Sequence, residues 1–81
     1  MQVRVRLGAG LARLAQAPVL SLDLADGATV AELLDLIAGA EPAVAPALPS
    51  VLPVIAGEHA ERSRPLRAGE EVALLVPVSG G

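Results

Sequence analysis

The 81-residue sequence contains no Phe, Tyr, Trp, Cys or Lys, and only one His. Without aromatic rings it offers no platform on which bases could stack, which argues against a single-strand nucleic-acid binder. A net charge of −3 lacks the basic footprint that nucleic acid demands. Without Cys there is neither a disulfide framework nor a thiolate metal site, and a single His excludes a His-cluster metal site. The longest uncharged run, 42–57, carries four prolines and falls short of the ~18–20 residues of a membrane-spanning helix, so no membrane partner is expected. The first 22 residues hold three arginines and no acid, and Ala15-Gln16-Ala17 has the form of a signal-peptidase site. The apolar stretch Leu7–Ala12, however, is cut by Arg13 and contains two glycines, whereas a signal core needs about 7–15 apolar residues. The expected location is cytoplasmic.

What is present is aliphatic. Hydrophobic residues make up 53% of the chain, and alanine, leucine and valine supply nearly all of them. The length fits one small domain, whose core must be built from these side chains. Gln2–Leu7 alternates Val3, Val5 and Leu7 against Gln2, Arg4 and Arg6, the period of a half-buried strand. Leu11–Ala17 has room for a turn or two of helix before Pro18. Val19–Ala25 alternates again, with Leu20, Leu22 and Leu24 on one face. If this second strand pairs antiparallel with the first, Asp23 falls opposite Arg4 or Arg6. Thr29-Val30-Ala31-Glu32 is a capping box, and Val30, Leu33, Leu34 and Ile37 form one helical stripe, predicting a helix over 30–38 stopped at Gly39.

Residues 40–50 carry three prolines and read as a loop with a short helical turn. A third strand follows over 51–56, its Pro53 favouring an edge or a late start. Residues 57–61, including His59, read as a turn leading into a short fourth strand. The last strand, 71–78, is apolar on both faces (Val72, Leu74, Val76 and Val78 against Ala73, Leu75 and Pro77), which predicts a central position. The fold class is therefore α+β, a mixed sheet of four to five strands with one main helix packed across it. The expected organisation is a domain over 1–76 and a flexible tail over 77–81.

The tail, Pro77-Val78-Ser79-Gly80-Gly81, carries the chemistry. Its bland reading is an inert, frayed end. Its chemical reading starts from the carboxylate of Gly81, a poor acyl donor until it is adenylated. Two glycines let an extended backbone enter a narrow channel without side-chain clash. Ser79 is not a nucleophile, because no base stands near it in the sequence pattern. Glu70 and Glu71 are not an acid/base pair, because strand neighbours point to opposite faces. Arg4 and Arg6 read as a solvated strand face, and Arg62, Arg64 and Arg67 as solvated charge.

The β β α β (β) β order, T-V-A-E-L-L opening the helix, P-L-R-A-G-E-E-V-A-L-L before the end and the P-V-S-G-G terminus together resemble the MoaD/ThiS sulfur-carrier family over nearly the whole chain. That resemblance implies a ubiquitin-like β-grasp fold. It implies that a ubiquitin-activating-type enzyme adenylates Gly81 with ATP and that sulfur transfer yields a thiocarboxylate, with Gly80 and Ser79 giving reach. The terminus leans toward the molybdopterin branch. There the small protein is a non-catalytic subunit, its tail enters the large subunit of molybdopterin synthase in a heterotetramer, and the sulfur goes to a pterin precursor. Catalytic residues would sit on that partner, and no cofactor would be bound by the small chain. The positions matching the family's partner-facing surface are Gly8, His59 and Leu75, followed by Pro77, Val78 and Ser79. Three alternatives share the pattern: a sulfur carrier for thiamine, tRNA thiolation or amino-acid synthesis; a ubiquitin-like protein modifier; and an interaction domain with an inert tail.

Overall fold

The computed structural model describes residues 1–77. The chain runs β1 (Gln2–Leu7), α1 (Ala9–Ala15), β2 (Val19–Asp23), α2 (Val30–Ala40), a 3-10 helix (Ala45–Ser50), β3 (Leu52–Ile55), β4 (Glu58–His59) and β5 (Glu71–Leu75). The five strands form one sheet in the order β2-β1-β5-β3-β4. β1 and β5 lie parallel at its centre, and every other pairing is antiparallel. This is the ubiquitin-like β-grasp arrangement.

The alternation seen in the sequence sets which face is covered. Val3, Val5, Leu7, Val72 and Leu74 point to the helix side and are buried, and α2 answers with Val30, Leu33, Leu34 and Ile37. Complete burial of an aliphatic side chain of this size contributes about 1.5–3 kcal/mol, so this layer is what holds an aromatic-free domain together. Leu11, Val44, Leu48, Val51 and Leu66 close the ends of the same core.

α2 begins as its sequence demands. Thr29 Oγ1 accepts from the Glu32 N–H at 3.3 Å, and Glu32 Oε1 accepts from the Thr29 N–H at 3.2 Å. The two amides between them are satisfied from another segment: the Val30 N–H donates to the Arg64 carbonyl and the Ala31 N–H to the Arg62 carbonyl. The first turn thus leaves no orphan donor at its start.

Four local expectations are corrected. The helix continues through Gly39 to Ala40 instead of stopping there, because the Glu41 N–H still reaches the Ile37 carbonyl at 2.7 Å. Asp23 pairs in register with Gln2, not with an arginine, and its carboxylate lies 3.2 Å from the Met1 ammonium. His59 is a strand residue: a two-residue turn at Ala56-Gly57, with φ of 53° and 81°, brings Glu58 and His59 directly back along β3. Positive φ at both central positions is the turn that matches strand twist, and Gly57 takes it without strain. Finally, β5 ends at Leu75 rather than Val78.

Pro53 fits because only the two-residue β4 lies on its outer side. Its carbonyl accepts from the Ala60 N–H on that side, so the missing N–H falls where no ladder bond is required.

Candidate functional site

Among the described residues, nothing covers the sheet face away from α2. Reading across it by register, Val19 of β2 neighbours Arg6 of β1, then Ala73 of β5, Val54 of β3 and His59 of β4. One row earlier on β1 and β5, Arg4 pairs with Glu71. One row later, Leu75 pairs with Leu52. Polarity therefore changes along the face. Its start is charged, with Arg6 donating to Glu71 at 3.2 Å, an exposed pair worth little to stability. Its far end is apolar, where Leu75 and Leu52 are 44% and 41% exposed beside half-buried Val54 and Ala73.

Gly8 borders this apolar end. Its N–H donates to the Leu74 carbonyl at 2.9 Å, and a Cβ there would stand 3.2 Å from that oxygen and 3.8 Å from a Leu75 methyl. The close backbone approach suits a glycine, and it leaves the Leu75 side chain uncovered. Of the residues singled out in the sequence, the fold brings Gly8 and Leu75 into contact. His59 lies on the same face at the β4 edge, beside Val54. Pro77 is exposed, two residues past the end of β5. Val78, Ser79, Gly80 and Gly81 lie outside the described residues.

Sequence reasoning placed Ala73 on the Leu75 face but did not single out Leu52 or Val54 for it. Their signal is the alternation of Leu52 and Val54 with buried Pro53 and Ile55, which becomes readable only once β3 is known to border β5.

The arginines divide into two kinds. Arg4 and Arg6 stand on the open face. Arg62 and Arg64 are not merely solvated charge. The Arg62 Nη2 group lies 3.1 and 3.2 Å from the carbonyls of Leu48 and Pro49, holding the end of the 3-10 helix. Arg64 makes a two-pronged contact with Glu70, at 3.0 and 2.9 Å. Those bonds hold the Glu70 carboxyl below its ordinary value; partial burial opposes them, and the Arg67 N–H at 2.7 Å adds to them. This pair fastens the loop before β5. Among the described residues, no group of His, Asp and Glu could hold a metal ion, and no helix is long and apolar enough to cross a membrane.

Comparison with known proteins agrees with this geometry. The ThiS family matches residues 5–81, and the chain belongs to that family, within the MoaD/ThiS sulfur carriers. Among solved structures it is similar to SAMP1 of Haloferax volcanii, with 31% identity over the whole of both chains and a TM-score of 0.88. It shares its fold with a chain of the complex of subunits 1 and 2 of molybdopterin-converting factor from Helicobacter pylori (21% identity, all of both chains, TM-score 0.70). The ubiquitin of Caldiarchaeum subterraneum has the same fold at 15% identity, covering 100% of this chain and 98% of that one, with a TM-score of 0.70. No curated protein matches the chain.

Proposed function

We propose that the chain is a sulfur carrier whose reacting group is the Gly81 carboxylate and whose acceptor is a pterin precursor in molybdopterin synthesis. In this reading it is the small, non-catalytic subunit of molybdopterin synthase, assembled with the large subunit in a heterotetramer. The observation that carries the reading is the position of the apolar patch. Leu75 is both the most prominent residue of that patch on β5 and the last residue of the strand that leads into the terminal segment. A partner seated on Leu75, Leu52 and Gly8 receives the following residues directly. Six residues lie beyond Leu75, and they can span at most ~20 Å, enough to carry Gly81 into a partner's pocket.

The chemistry divides between the chain and its partners. A ubiquitin-activating-type enzyme binds ATP. The Gly81 carboxylate oxygen attacks the α-phosphorus and pyrophosphate leaves. A sulfide equivalent then attacks the acyl carbon, AMP leaves, and a thiocarboxylate remains. The small chain contributes recognition through its open face and delivery through Pro77, Val78, Ser79 and Gly80, while the acid–base groups belong to the large subunit. The need for ATP fits a cytoplasmic setting.

The test is intact-mass measurement after incubation with activating enzyme, ATP and sulfide. The expected gain is that of one sulfur replacing one oxygen at Gly81, followed by dithiolene formation when large subunit and pterin precursor are added. Intact cofactor synthesis after deletion of Gly81 would overturn the reading. Complementation of strains lacking the thiamine, tRNA-thiolation or amino-acid pathways separates the related carriers.

The 31% identity with SAMP1, a small archaeal modifier protein, favours a second reading, that of a ubiquitin-like modifier. The same adenylate would then be taken by a lysine of another protein. The chain has no lysine, so it could not build side-chain-linked polymers on itself. Recovery of Gly81 in isopeptide linkage to other proteins supports this second reading over the first.

A further inference from the structure

The two edges of the sheet are not equally guarded. β4 is two residues long and lies beside Pro53, which leaves little backbone for a further strand. β2 is five residues long, contains no proline and no lysine, and among the described residues has a partner only in β1. Its ladder with β1 places bonds at Pro18 and Leu24, where Leu7 N–H donates to the Pro18 carbonyl and Leu24 N–H to the Met1 carbonyl. Because bonded pairs alternate in an antiparallel ladder, the N–H and C=O groups of Val19, Ser21 and Asp23 point outward, away from β1. An edge of this kind is a template for another strand.

A groove continues from the end of this edge. It has a volume of about 490 Å³ and runs between the end of β2 and α2, floored by Leu24 and Ala28 and walled by Leu36, which is 39% exposed. Leu20 and Leu22 share the Leu24 face of the strand and are only partly buried, so the apolar floor extends along β2. The charged lining of the groove is entirely acidic: Asp23, Glu32 and Asp35. Glu32 is engaged by the Thr29 cap and Asp23 by the Met1 ammonium, while Asp35 has no ion pair among the described residues.

The geometry points to a second docking site, separate from the open face. The β2 edge accepts an extended segment of a partner protein as a sixth strand, with a Lys or Arg of that segment seated in the acidic groove beside Asp35. Main-chain bonds to Val19, Ser21 and Asp23 give affinity, and the groove selects charge. A second copy of this chain is disfavoured as occupant. Antiparallel pairing of two β2 strands about Ser21 would set Asp23 opposite Val19 and carry the partner's Ala17 and Pro18, not a basic residue, past the groove. A carrier with this edge could stay tethered to a partner while its open face and tail are engaged elsewhere.

The test titrates the labelled full chain with a short synthetic peptide of alternating valine and threonine ending in two arginines, and with a matched peptide ending in two aspartates. The expected result is binding of the basic peptide alone, with amide shifts at Val19, Ser21 and Asp23 and none around Leu75. Ser21→Pro removes an outward donor without touching the β1 ladder and should weaken binding about tenfold or more. Asp35→Lys leaves the backbone edge intact and should weaken the basic peptide several-fold while admitting the acidic one. Equal binding of both peptides by the unaltered chain, shifts confined to the Leu75 face, or retained affinity in Asp35→Lys would overturn the proposal. So would a dimer in sedimentation that Ser21→Pro converts to monomer.

Discussion

The two faces of β5 carry nearly the same chemistry and do opposite things. Val72 and Leu74 are fully buried against the helix layer, whereas Leu75, on the other face, remains 44% exposed with Ala73 half-buried beside it. All are aliphatic, so side-chain type does not separate the covered face from the open one. What separates them is coverage: α2 lies over one face and nothing in the described residues lies over the other. In an aromatic-free domain the core cannot spare side chains, and leaving large aliphatics uncovered on a central strand is a cost to solubility that function must offset.

The comparison can be broken most sharply on its buried side. Leu74→Ala removes a fully buried side chain from the central strand and should cost about 2–5 kcal/mol, enough to unfold much of the population. Chemical denaturation with far-UV circular dichroism measures this. Thr29→Ala acts on the layer that does the covering. It removes the acceptor for the Glu32 amide and should cost about 1 kcal/mol in the same experiment, with the sheet ladder intact by hydrogen exchange.

On the open face the expected signs part company. Leu75→Ala should change stability by less than about 0.5 kcal/mol, yet, on the proposed function, weaken binding to a molybdopterin synthase large subunit about tenfold, as read by calorimetry. A stability loss as large as that of Leu74→Ala would show that the faces are not functionally distinct.

The smallest effect concerns the loop that leads into β5. The Glu70 carboxyl is held below its ordinary value, chiefly by its hydrogen bonds to Arg64. A carboxyl depressed in the folded state stabilises the fold above its unfolded value, and the contribution fades as pH falls through the lower folded value. Glu70→Gln should therefore lower the Tm slightly at neutral pH. Its difference from the unaltered chain should be flat above the ordinary carboxylate range and shrink below it.

Much of this was legible in sequence because it is local. The period-two alternation of Gln2–Leu7 gave β1 and its buried face residue for residue, and the Thr29–Glu32 capping box gave the start of α2. Where the reading slipped, the helix's own bonding decided at Gly39, and a distant segment decided at Asp23, Arg62 and Arg64. Gly39 lacked the power to stop a helix whose next amide still found the Ile37 carbonyl. Asp23 took Gln2 and the Met1 ammonium as neighbours because strand register, not charge, fixes who stands opposite whom. Arg62 and Arg64 looked like surface charge, since their acceptors lie in the 3-10 helix and ahead of β5, and only the folded chain brings these together.

The helix and strand patterns, the aliphatic core and the diglycine are legible in the chain alone, because periodicity, capping and composition are properties of neighbouring residues. Tertiary structure alone decided that Leu52, Val54, Ala73, Leu75 and Gly8 share one uncovered surface and that β2 is left as an open edge. The reason is physical. A strand pattern says which residues point together, but only the order of strands in the sheet says whose neighbours they become and which face α2 leaves bare.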